Sequence, residues 1–206
     1  MCYNNQIKNM KKGFTLIELL VVIAILAILA TVIVVVINPA ELLKQARDTT
    51  RISDVAAINS AIALYIADVV SPDLDASQSV CISSTSLTST STAVNCTAAG
   101  TSPLGNAVCT ANAVTTVAGA GWIPLDFTSI SSGSPMSRLP LDPVNSTTYF
   151  YAYGCNNTLL TYEIDANMES NKYSNASLNT SVERNAYDGG SNNNWYEIGN
   201  SSGLAL

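Results

Sequence analysis

Between Phe14 and Ile37 the chain runs through 24 residues that carry one charge, Glu18. As a helix rising about 1.5 Å per residue this segment is roughly 36 Å long, enough to cross a hydrocarbon core of about 30 Å with modest tilt. A helix apolar on every side differs from the surface helix of a water-soluble domain, which hides one stripe and wets the rest. The segment therefore needs lipid or other apolar helices around it. Lys11 and Lys12 stand immediately before it, and the bias of basic residues towards the cytoplasm places everything after Ile37 outside. A secretory signal has a shorter apolar core ending in small residues at a cleavage site. Here the run continues through Val34, Val35 and Val36, so the segment reads as retained.

The front of this segment is more specific. KKGFTLIELLVVIAILAILA, Lys11 to Ala30, resembles the processing and methylation signal of type IV prepilins and the related pseudopilins of type II secretion. The resemblance implies that a prepilin peptidase cuts after Gly13 and methylates Phe14, the first mature residue, leaving residues 1–13 as the leader. Glu18 is then the fifth mature residue, as the family pattern requires. An unpaired acid near the bilayer centre costs about 2.5–3.5 kcal/mol to insert, so such residues usually have a partner. The resemblance implies that the partner is the N-terminal amine of a neighbouring subunit, which would neutralise two charges and set axial register in a homopolymer. It further implies a membrane assembly platform and a cytoplasmic motor as partners. Location is the cytoplasmic membrane first and a cell-surface filament afterwards.

Past the leader the chain holds six basic side chains against fifteen acidic ones, a formal balance of −9, so nucleic acid is not an expected partner. Histidine is absent, which removes the commonest general base and metal ligand. No catalysis is expected, and no cofactor beyond a structural calcium. Cys81, Cys96, Cys109 and Cys155 follow the leader and fit two disulfides in an oxidising compartment. Four cysteines allow three pairings; the reading leans to Cys81 with Cys96 and Cys109 with Cys155.

The chain divides into a leader (1–13), a transmembrane and filament-core helix (14–38), an amphipathic helical half (39–70), a Ser/Thr-rich connecting region (71–148) and an antiparallel sheet with a C-terminal loop (149–206). Asn38 and Pro39 end the uniform apolar run, where Pro39 kinks or loosens the helix. Ile52, Val55, Ile58, Ile62, Tyr65, Ile66 and Val69 then recur at helical spacing, while Lys44, Arg47, Asp48, Arg51 and Asp54 read as a solvated face. Ser83 to Thr92 is nine-tenths Ser and Thr and reads as a surface loop. Alternating aromatics over residues 149–153, a turn over 154–157 and the run 159–164 give a hairpin. Residues 122–127 and 195–198 add edge strands. The fold class is α+β, a long N-terminal helix packed on a small antiparallel sheet, pilin-like in outline. LPLDPVNSTTYFYAYGC, Leu139 to Cys155, is similar to the turn and strand that follow the helix in major pseudopilins.

Major pseudopilins commonly hold calcium in a C-terminal loop, and Asp165, Glu169, Asp188 and Asn192 are the oxygens available for it here, without the regular spacing of an EF-hand. A membrane-tethered binding module or enzyme using the acid pair Asp165 and Glu169 is the reading from another class.

Overall fold

The computed structural model describes residues 13–74, 84–85, 94–95, 108–174, 190 and 194–200. The chain divides into two compact units, Met1–Ala40 and Glu41–Leu206.

In the first unit, helix α1 spans Leu16–Ile37. Thr15, with extended backbone (φ −79°, ψ 152°), is its N-cap. Asn38 ends it in the left-handed region at φ 46°, a conformation that asparagine adopts more readily than most residues. Pro39 then stands at the first position of helix α2, Pro39–Asp68, where a missing N–H costs nothing and the fixed φ already suits a helix. The break expected from Pro39 thus falls on the residue before it.

In the second unit, α2 turns Val55, Ile58, Ile62 and Tyr65 of the predicted stripe inward together with Ala61, and leaves Ile52, Ile66 and Val69 partly buried against the same core. These pack with Tyr151, Tyr153, Ile164, Trp122 and Phe127 in one core. The sheet is built on β4 (Tyr151–Asn156), β5 (Thr161–Ala166) and β6 (Tyr196–Gly199), an antiparallel three-strand unit with Tyr153 opposite Ile164 and Ile164 opposite Ile198. The layout is α+β. Both hairpin strands sit two to three residues further along than the aromatic alternation suggests, and the turn includes Leu160 at φ 53°.

Two expectations fail. The connecting region is not purely loop, because β1 (Ser84–Thr85), β2 (Val94–Asn95) and β3 (Val108–Ala111) extend the sheet to the order β2-β3-β1-β4-β5-β6. Residues 122–127 form no strand. Pro124 supplies no N–H, and the neighbouring backbone bonds locally instead: Trp122 N–H donates to the Val114 carbonyl at 2.9 Å and Phe127 N–H to that of Val117 at 2.8 Å. A short 3₁₀ turn, Phe127–Ser129, follows.

Candidate processing and assembly site

Gly13 and Phe14 precede the N-cap and are exposed, and a side-chain atom placed on Gly13 would meet nothing within 4 Å. The bond between them is therefore open to a protease. Thr15 and Glu18 close a capping box at the start of α1. The Thr15 N–H donates to Glu18 Oε2 at 2.8 Å, the Thr15 hydroxyl donates to the same oxygen at 2.7 Å, and the Glu18 N–H donates to Thr15 Oγ1 at 3.3 Å. The carboxylate also sits at the end of the helix where the dipole favours negative charge. Behind it, Leu16–Val34 is long and apolar enough to cross a membrane, and none of it is buried within the chain. Apolar side chains point outward all round, from Ile17 and Leu20 to Ile28 and Val32.

Residues 8–34 match the family model for the prokaryotic N-terminal methylation motif. That motif is the type IV pilin and pseudopilin signal. It implies processing by a prepilin peptidase and assembly into a pilus-like filament, and α1 suits membrane anchoring before assembly. No curated protein and no solved structure matches the chain.

Part of the expected solvated face of α2 is instead an ionic cluster built on the buried Asp48 and Arg51. Arg51, fully buried, grips Asp142 with two nitrogens at 2.6 and 3.0 Å, Asp48 at 2.7 Å and Glu169 at 2.6 Å. Arg47 holds the other side of Glu169 at 2.6 and 2.9 Å. Asp48 also accepts the N–H groups of Glu169 and Ser170, and Asp142 those of Val144 and Asn145. Burial opposes the Arg51 charge, but Asp142, then Glu169 and Asp48, hold its pKa above the ordinary guanidinium value. Burial pushes the Glu169 carboxyl up, yet Arg47 and Arg51 outweigh it and hold it below the usual range. α2 faces this way because the turn after Leu139 and the chain after β5 both fold over its first half.

Glu169 is thus ion-paired with two arginines, which occupies both its oxygens and separates it from Asp165. Asp165 lies elsewhere, opposite Glu197 across β5 and β6, with Glu163 on the same face of β5. All three are buried, with carboxylate oxygens within 4.8 Å of one another. Gly190 packs so closely on Glu197 that a Cβ there would collide with its carboxylate. An all-oxygen acidic donor set of this kind fits a hard divalent cation. Asp188 and Asn192 lie outside the described residues, as do Cys81 and Cys96. Cys155, on β4, is disulfide-bonded.

Sequence reasoning missed Thr15, Asp142, Glu163 and Glu197. Thr15 and Glu18 have the three-residue capping-box spacing, and Glu163 and Asp165 the period-two spacing of one strand face, so both signals were present. Nothing local joins Asp142 to Arg51. A separate cleft of about 410 Å³ lies between α2 and the Leu139–Leu141 segment, lined by Asp54, Thr115 and Arg138; the Tyr151 hydroxyl donates to Asp54 at 2.8 Å.

Proposed function

We propose that the chain is a structural subunit of an extracellular type IV pilus-like filament, cleaved between Gly13 and Phe14, methylated on Phe14 and assembled through α1. The methylation motif carries this reading, and it sits on a helix with apolar side chains exposed on all sides. Such a surface is hidden by lipid before assembly and by sister helices afterwards, where close packing replaces lipid contacts. Glu18, already fixed in direction by Thr15, offers its second carboxylate oxygen to the new amine of a neighbouring subunit. The test is to shear cells, pellet fibres and weigh the intact subunit. A mass beginning at Phe14 plus one methyl group is expected. Glu18→Ala is expected to leave cleavage intact and to cut fibre yield at least tenfold; normal yield from that variant would remove Glu18 from assembly.

A pseudopilin of a type II secretion-like system is the second reading. It is favoured by the Leu139-Pro140-Leu141-Asp142-Pro143 turn, whose aspartate anchors to α2 through Arg51. Loss of secretion with no visible surface fibre, on deletion of the gene, distinguishes it.

A further inference from the structure

The sheet order limits which cysteine can reach Cys155. Cys109 lies on β3, where it faces Val94, and β1 separates β3 from β4. Ser84 of β1 is opposite Thr110 on one side and Tyr153 on the other. Two strand spacings of roughly 4.8 Å put the Cα atoms of Cys109 and Cys155 about 10 Å apart, beyond the roughly 7 Å that a disulfide spans. Cys96 is one residue past Asn95, on β2, three spacings from β4. One residue of chain recovers at most about 3.8 Å of roughly 14 Å, so Cys96 cannot reach Cys155 either.

Cys81 can. It is three residues ahead of Ser84, whose partner Tyr153 stands two residues from Cys155 on β4, and three residues of chain are long enough to span that separation. The other flank of the same segment is held at the same place. The Leu74 N–H donates to Asn157 Oδ1 at 2.9 Å, and the Leu74 carbonyl accepts the Tyr153 hydroxyl at 3.1 Å. Cys96 in turn is two residues from Val94, the direct cross-strand neighbour of Cys109, and with Cys81 assigned to Cys155 it is the partner left for Cys109.

We infer that the disulfides are Cys81–Cys155 and Cys96–Cys109, one nested inside the other, in place of the pairing to which the sequence alone leans. Each bridge forms by thiol–disulfide exchange with an exported dithiol oxidant in its disulfide form; two thiols lose two protons and two electrons, and the oxidant is reduced to its dithiol. The outer bridge fastens the start of the Ser/Thr-rich tract to a central strand, and the inner one closes the edge of the sheet. The inference rests on export to an oxidising compartment and not on fibre formation.

The experiment is chymotryptic mapping of the unreduced, alkylated protein purified from its native host. Cleavage after Leu74, Leu87, Leu104, Trp122 and Tyr153 puts each of the four cysteines on a different peptide. The expected result is a linked pair of the peptides holding Cys81 and Cys155, and a second linked pair holding Cys96 and Cys109. Both pairs should separate on reduction. Cys109 or Cys96 linked to Cys155 overturns the inference, and so does a bridge to Cys2. Four alkylated thiols overturn it as well, and count against export, whereas a wrong pairing leaves export and the filament reading untouched.

Discussion

Arg51 shows how much one side chain decides here. Its planar fork has donors for three acids at once, which an ammonium group cannot copy, and all of it is buried. Arg51→Ala leaves Asp48 and Asp142 in the interior without their cation, a loss of the kind that costs about 3–5 kcal/mol. We expect a fall in stability of that size by denaturant unfolding in detergent, and Arg51→Lys to recover less than half of it. A cost below about 1 kcal/mol would show that the acids are tolerated without it. Thr15 acts on a smaller scale, at the start of α1. Thr15→Ala removes an N-cap worth about 1 kcal/mol and releases the Glu18 carboxylate, so amide exchange in the first turn, Leu16 to Leu19, should speed up, with Thr15→Ser restoring it. Equal exchange rates in all three proteins would show that the capping box does not hold this end.

Elements were legible where a periodic pattern met a single packing partner. α2 buries the stripe that its spacing marks, and the β4–β5 hairpin follows the alternating aromatics, since each pattern needs only one face covered. The other face of α2 was misread because a helical charge pattern cannot show that Asp142 and Glu169, 91 and 118 residues from Arg51, return to cover it. β1 was misread because a Ser-Thr strand carries no apolar alternation, and β2 and β3 because Val-Asn and Val-Cys-Thr-Ala are too short to show one; all three exist only through their neighbours. Within the sheet, β5 and β6 set Asp165 against Glu197, a like-charge cross-strand pair that is unfavourable unless something offsets it. A divalent cation held by oxygen ligands would do so. Calcium is therefore expected to raise the melting temperature by several degrees, with reversal by chelator, and Asp165→Asn to abolish the response. An unchanged melting temperature in millimolar calcium would show that the acids are balanced by the protein alone.

For the molecule as a whole these groups set a stability window in pH. Backbone and hydroxyl hydrogen bonds from Ser131 hold the Asp68 carboxyl, at the end of α2, below its ordinary value of 3.8. The two arginines overcome burial to hold that of Glu169 below 4.5. A depressed carboxyl stabilises the fold fully above its unfolded pKa, and the benefit disappears as pH falls through the lower folded value. Asp54 works the other way: burial raises it despite the Tyr151 hydroxyl, so it penalises the fold while ionised and returns stability on protonation. Protonation of Asp68 and Glu169 therefore destabilises the fold below about pH 4, with Asp54 acting in the opposite sense. On the alkaline side, burial pushes the Tyr162 hydroxyl from 10.0 up to about 12 and raises Tyr151 too. Their contributions are complete below pH 10 and fade above it, because the unfolded chain releases those protons first. The melting temperature in detergent should accordingly be level through neutrality and fall on both sides, with Tyr162→Phe flattening the alkaline limb while leaving the acid limb as it was. Were the alkaline limb equally steep in that variant, ionisation of Tyr162 would have no part in it, and the hydroxyl, which donates to Asn59 Oδ1 at 2.7 Å, would matter only as a hydrogen bond between β5 and α2.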